Sequence, residues 1–343
     1  MLRNAIDHLV NGQNLKEQQV IQAMEMIMNG EATSAQIAAF ITALRIKGET
    51  VEEITGCAKV MRKKAESIYP ELDYYIDTCG TGGDGAHTFN ISTAAAFVAA
   101  AGGVPVAKHG NRSMSGKSGS ADVLEALGVN INLTPPQVKE CIEQVGLGFM
   151  FAQAFHRSMK YAAGPRKELG IRTIFNVLGP LTNPASAKGQ MLGVYDKQLL
   201  RPIASVLSNL GVERAMVVHG EDGLDEISLT GRTLVCELKD GEISEYILDP
   251  RDYGMALCRP EHLKGGTAQE NARIIQDVFE GCEGVQKDVI VLNSAAALYV
   301  GKKTSTIQEA IGMADGIIKD GSAKRKLGEF IAFTNKNEFK VQH

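Results

Sequence analysis

Two short stretches in the first third of the chain have the residue types of anion sites. In DTCGTGGDGAHTFNISTAAAFVAAAGG, from Asp77 to Gly103, Gly80, Gly82 and Gly85 fall in G-x-G-x-x-G spacing and are followed by Thr88, Asn90, Ser92 and Thr93. Glycines let backbone N–H groups approach an anion, and hydroxyls at a helix N-terminus add donors where the helix dipole already favours negative charge. The second stretch, KHGNRSMSGKSGSADVLEALG, runs from Lys108 to Gly128. It brings Lys108, Arg112 and Lys117 together with Ser113, Ser115, Ser118 and Ser120 directly before a helix-like segment. Such a loop is a clamp for a polyanion, combining charge-assisted hydrogen bonds with a helix N-terminus.

The glycine spacing alone suggests a dinucleotide site, and two features count against it. A dinucleotide fingerprint opens its helix inside the glycine turn and has an acid about 20 residues further on for the ribose. Here the helix is expected from Ser92, and the next strand ends in Lys108, His109, Asn111 and Arg112. No G-K-[ST] closes the loop, which removes a Walker P-loop as well. The anion bound is therefore of another kind.

The elements that must carry these loops follow from periodicity. Up to about residue 70 the chain reads as helices. LKEQQVIQAMEMIMNG has apolar residues at helical spacing up to Gly30, SAQIAAFITALRIKG has Ser34 as candidate N-cap, and Thr50 and Glu53 stand in capping-box register. From Pro70 the order becomes strand (YYIDT), glycine loop, helix, strand (VPVAKHG), a unit whose parallel strands need a helical crossover. GFMFA, MLGVY, RAMVVHG and the apolar run VIVLNSAAALYV extend this pattern as parts of a sheet domain, and RTLVCELKDGEISEYIL reads as a hairpin turning at Asp240-Gly241. The expected fold class is α/β: a small all-helical N-terminal domain, residues 1–70, plus a larger α/β domain, residues 71–343, with a central, mostly parallel sheet flanked by helices. Residues 163–187 carry helix and turn signals without a strand and are expected to rejoin the helical domain.

With 36 Lys+Arg against 40 Asp+Glu, a net charge of −4 argues against broad attachment to nucleic acid or an anionic membrane. No stretch approaches the roughly 18 apolar residues of a membrane span, and MLRNAIDHLVNGQNLKEQQV lacks the apolar core of a signal peptide, so a cytoplasmic chain is expected. The six cysteines show no C-x-x-C spacing and read as reduced thiols, about half of them buried.

GTGGDGAHTFNIST, KHGNRSMSGKSGSADVLEALG, GPRKELGIRTIFNVLGPLTNP and GLDE, in this order, resemble the anthranilate phosphoribosyltransferases. The resemblance implies transfer of the phosphoribosyl group of phosphoribosyl pyrophosphate (PRPP) to the amine of anthranilate in tryptophan biosynthesis, with Mg²⁺ as cofactor. It further implies a homodimer formed through the helices. For PRPP it points to Gly80, Gly83, Asp84, Thr88, Asn90, Ile91, Ser92 and Thr93 in the first loop. In the second it points to Lys108, His109, Gly110, Asn111, Arg112, Ser113, Met114, Ser115, Gly116 and Ser120. Anthranilate falls to Gly80, Asn111 and Arg166, with His109 beside them, and the metal to Ser92, Asp225 and Glu226. Without the resemblance, Asp225 and Glu226 read as surface charge and Arg166 as a helix-end surface residue. No nucleophile or general base is implied.

Two rivals remain at this level. A pyrimidine nucleoside phosphorylase shares the architecture, yet one phosphate does not need the donors of the second loop, and phosphorolysis has no clear use for the acid pair. A non-catalytic relative binding nucleic acid through the same cleft fits poorly with intact motifs and net negative charge.

Overall fold

Four helices open the chain: Leu2–Val10, Glu17–Met28, Ser34–Lys47 and Val51–Lys64. The computed structural model describes residues 1–113 and 117–336. The fourth helix starts as its sequence dictates, Glu53 N–H donating to Thr50 Oγ1 at 3.2 Å and Thr50 N–H to Glu53 Oε2 at 2.8 Å. The third is capped by Thr33 and not by Ser34. A capping box needs Glu or Gln three residues after the cap, and Gln36 stands at that distance from Thr33, returning its side chain to Thr33 N–H at 3.0 Å.

Val20, Met24, Ile27, Phe40, Ile41 and Leu44 of these helices form a buried cluster with Ala162, Ile174, Phe175, Leu178 and Leu181. The latter belong to the segment of helices Lys160–Leu169 and Phe175–Leu181, more than a hundred residues downstream. The strandless stretch thus packs on the N-terminal helices while its ends stay in the sheet region.

Seven strands form one sheet: β1 (Ile76–Gly80), β2 (Val106–Gly110), β3 (Leu147–Phe151), β4 (Gly189–Gly193), β5 (Arg214–Gly220), β6 (Thr233–Lys239) and β7 (Glu242–Leu248). Their order is β3-β2-β1-β4-β5-β6-β7. The first five are parallel, and the hairpin β6–β7 adds two antiparallel strands at the β5 edge. This is the α/β class with a helical unit that the sequence predicts. Helices cover both faces, as a parallel sheet requires. Val106, Met191, Met216 and Val218 face the cluster of helices Ile91–Ala101 and Val285–Val300, and Cys79, Leu192, Ala215 and Val217 face the other way, toward the helical unit.

Two local expectations change. VIVLNSAAALYV is no strand but most of the 16-residue helix Val285–Val300, buried on nearly every side. A helix enclosed by protein loses its amphipathic period, so an apolar run of this kind is decided by length. The helix after the glycine loop begins at Ile91, one residue earlier than expected, with Asn90 at its N-cap.

Candidate active site

Parallel strands place their C-terminal ends on one side of the sheet, and the two loops leave β1 and β2 there, on neighbouring strands. Gly82, Gly83 and Gly85 all have positive φ, 68° to 76°, which a side chain would strain; His87 follows at 53°. Gly80 ends β1 where a Cβ would stand 3.0 Å from the carboxyl carbon of Asp225. Thr88 forms a bridge to Lys264, and Ile91 is fully buried, anchoring the helix start.

The acid pair lies in the turn after β5, and it is buried, with 9% and 8% exposure, rather than on the surface. Gly82 N–H donates to Asp225 Oδ2 at 2.6 Å, and Ser92 N–H to Glu226 Oε1 at 3.1 Å. Asn293, a buried residue of helix Val285–Val300, holds the turn by bonding both the N–H and the carbonyl of Ile227 at 2.9 Å. Burial raises the Asp225 carboxyl well above the usual range, and the nearby Asp84 and Glu226 add to the shift; burial likewise lifts Glu226 to about 7. Crowded buried carboxylates of this kind favour a cation between them. Among the described residues no three His, Cys, Asp or Glu side chains form a metal cage. Two hard acids and a hydroxyl, leaving the remaining ligand positions to water or substrate oxygens, suit Mg²⁺.

Asn90 joins the two loops. Its Oδ1 accepts from Asn271 at 3.0 Å, and its Nδ2 donates to the Ser118 carbonyl at 3.3 Å. Thr93, just inside the helix, has a buried hydroxyl without a partner among the described residues. In the second loop Lys108 is buried and its ammonium bonds the Thr78 carbonyl; burial lowers its pKa, and the buried Asp77 beside it opposes the shift. Asp77 also accepts from His109 N–H at 3.2 Å and from Asn183 Nδ2 at 2.7 Å, fixing the end of β2. Gly110 follows, where a Cβ would meet the Phe149 ring. Ser120 Oγ bonds the Asn111 carbonyl at 3.3 Å, and Ser113 N–H donates to Asp122 at 3.0 Å. Met114, Ser115 and Gly116 lie outside the described residues.

Arg112 departs from the expected clamp. Its guanidinium pairs with Asp122 and Glu125 at 2.9 and 2.5 Å and lies 5.6 Å from the Phe151 ring centroid. The helix that follows supplies its own acids, so this cation organises the loop instead of standing free within it.

Arg166 is half-buried on helix Lys160–Leu169, 5.0 Å above the Phe175 ring, with no acidic partner among the described residues. Burial lowers its pKa. Six residues on, Arg172 donates to the Gly83 carbonyl and stacks 4.4 Å over Tyr195, whose N–H donates to Thr81 Oγ1 at 3.1 Å. His109 and His156 pack edge to face with centroids 5.0 Å apart, each with a buried Nε2 that has no partner among the described residues. Burial holds His109 well below its ordinary pKa and His156 at about 4, so both are neutral near pH 7. Asp77, Asn183, Arg172, His156, Asn271 and Asn293 escape a reading of the sequence. Arg172 and Asn183 lie within GPRKELGIRTIFNVLGPLTNP and Asp77 opens the first quoted stretch, but nothing next to them in sequence announces their contacts.

A helical unit joined to a mostly parallel sheet, with two donor-rich loops on adjacent strands, is a glycosyltransferase architecture. Residues 3–65 match the glycosyl transferase family, helical bundle domain, and residues 72–324 the glycosyl transferase family, a/b domain. The chain belongs to the anthranilate phosphoribosyltransferase family. It is 66% identical over 335 residues to an anthranilate phosphoribosyltransferase of Acetivibrio thermocellus, covering 98% of this chain and 97% of that protein. The crystal structure of anthranilate phosphoribosyltransferase from Thermus thermophilus matches with a TM-score of 0.92 and 41% identity, over 97% of this chain and 99% of that one. The Saccharomyces cerevisiae enzyme in complex with PRPP and Mg matches with a TM-score of 0.89 and 29% identity, over 97% of each chain.

Proposed function

We propose that this chain transfers the 5-phosphoribosyl group of PRPP to the amine of anthranilate. The products are N-(5-phosphoribosyl)anthranilate and pyrophosphate, and the step belongs to L-tryptophan biosynthesis. The reading is carried by one observation: Asn90 ties together two donor-rich loops on neighbouring strands, and the first of them is bonded to a buried acid pair. A single phosphate, as in nucleoside phosphorolysis, needs neither the second loop nor the acids.

Breaking the C1–O bond builds negative charge on pyrophosphate and positive charge on the ribose, so the rate depends on positioning and on donors preorganised around the leaving group. We assign PRPP to Gly80, Gly83, Asp84, Thr88, Asn90, Ile91, Ser92 and Thr93 in the first loop and to Lys108, His109, Gly110, Asn111, Ser113, Met114, Ser115, Gly116 and Ser120 in the second, with Arg112 ordering that loop through Asp122 and Glu125. The unpartnered Thr93 hydroxyl and the helix N-terminus at Ile91 support this. Asp84 shapes the glycine turn by accepting from Ala86 N–H at 3.1 Å. Asp225, Glu226 and Ser92 would hold Mg²⁺, which when bound neutralises charge accumulating on pyrophosphate. Arg166 takes the anthranilate carboxylate, for which its planar donors are suited, with Asn111 and Gly80 beside it. An aniline-type amine is uncharged near neutral pH and attacks without prior deprotonation; neutral His109 packs against the ring.

We further assign residues 1–70 and about 163–187 to the helical domain and the rest to the α/β domain. Dimerisation through the helical domain is supported by Val10 and Ile46, 71% and 82% exposed on two helices that pack together. Among the described residues no helix is long and apolar enough to cross a membrane, and the free cysteines suit a reducing cytoplasm.

The test follows the loss of anthranilate fluorescence on adding PRPP and Mg²⁺. Turnover that requires all three supports the assignment. No turnover, with thermal stabilisation by thymidine or uridine and phosphate instead, moves it to the phosphorylases. Within the site, Arg166→Ala should raise the KM for anthranilate far more than that for PRPP, and equal effects would remove Arg166 from the acceptor site.

A further inference from the structure

A cleft of about 660 Å³ opens at the end of the sheet opposite the two loops, lined by Glu213, Arg214, Lys239, Asp240, Lys302 and Thr304 among others. Arg214 begins β5 and Lys239 ends β6 as its register partner, so both cations stand side by side on one face of the sheet. Arg214 is 8% exposed. Its guanidinium lies 3.9 Å from the Tyr299 ring, its Nε has no hydrogen-bond partner, and no ion pair reaches it among the described residues.

Two of the three neighbouring acids, Glu213 and Glu237, are already engaged. Glu213 is shared by Lys302 at 2.8 Å and Lys188 at 3.7 Å. Glu237, on the same sheet face, accepts the Tyr299 hydroxyl at 2.8 Å. Asp240 is exposed at the hairpin turn. Thr304 adds a buried hydroxyl with no partner among the described residues. A tyrosine face offsets part of the cost of a buried guanidinium, but its donors still require acceptors.

We propose that this cleft binds a small oxyanion, a phosphate or carboxylate group, with Arg214 and Lys239 as its charge partners and Thr304 as a neutral donor. The seven residues of β5, at about 3.3 Å each, separate it from the first two loops by about 20 Å. An anion there does not compete with PRPP.

Equilibrium dialysis of labelled inorganic phosphate against protein carrying one equivalent of PRPP with Mg²⁺ tests the site. One phosphate per chain is expected, with affinity weakened about tenfold by Lys239→Gln and binding lost in Arg214→Gln. Lys239 is exposed, so its variant keeps the fold even if the Arg214 variant does not. Displacement of the phosphate by malonate extends the site to carboxylates, and retention restricts it to phosphate. No phosphate bound, or equal affinity in parent and Lys239→Gln, overturns the proposal. Phosphate held at the catalytic loops instead is insensitive to Lys239→Gln and so cannot imitate the expected result.

Discussion

The backbone N–H of Gly82 donates to Asp225 Oδ2 at 2.6 Å, across 143 positions of sequence. The glycine loop and the acid turn are therefore one unit, and a change in either is felt in both. Asp225→Asn with Glu226→Gln removes both charges while keeping the side-chain volumes. The rate at saturating substrates should fall about 100-fold, and half-saturation by Mg²⁺ should move to higher concentration. An unchanged magnesium titration would take the pair out of the metal site.

Gly193, the last residue of β4, has no room for a side chain, because a Cβ there would collide with the carbonyl of Asp225 and approach its Cα to 3.0 Å. Gly193→Ala must push the acid turn away from the glycine loop. Overpacking against backbone costs about 1–3 kcal/mol, and turnover should fall more than stability because the displaced group is Asp225. Denaturant unfolding beside a steady-state assay separates the two effects. Full activity with reduced stability would show that the turn relaxes without moving its carboxylates.

Arg172 reaches from the segment that packs with the helical unit to the Gly83 carbonyl in the first loop, stacked on Tyr195. Arg172→Ala should raise the KM for PRPP about fivefold with a smaller effect on that for anthranilate, since it frees the loop and not the acceptor site. Arg172→Lys should restore little, because an ammonium cannot both stack and donate as a planar guanidinium does. Equal kinetics in Arg172→Ala and the parent would leave the contact without a role in positioning.

His156 is held neutral by burial, its pKa depressed from 6.5 to about 4. An unfolded chain takes up that proton as pH falls through about 6.5, whereas the folded chain resists until about 4. The contribution to stability is thus intact above pH 6.5 and is lost as pH falls through this window. Between pH 7 and pH 5 the loss from this residue is about 2 kcal/mol. In His156→Gln the fall in urea midpoint over the same range should be smaller by a corresponding amount. Parallel pH slopes in parent and variant would assign the acid sensitivity to other groups, His109 first among them.

Local chemistry made much of this molecule legible. The capping box at Thr50 and Glu53, the turn at Asp240-Gly241, the strand ends that precede both loops and the donors within them depend on neighbours a few residues away, and all appear where periodicity puts them. The long helix Val285–Val300 was hidden because complete burial erases the pattern by which a helix is recognised. The acid pair looked like surface charge because nothing near it in sequence announces burial. Readable from the residues in order were the two donor-rich loops, the α/β class and the motifs of the family. Chain assembly was needed to show that Asp225 meets Gly82, that Asp77 and Asn183 brace His109, that Arg112 is spent on Asp122 and Glu125, and that Arg214 lies buried without an acid among the described residues. The reason is physical: local hydrogen bonds and side-chain periods are written in adjacent residues, whereas burial and charge pairing depend on chain segments that meet only when the sheet assembles.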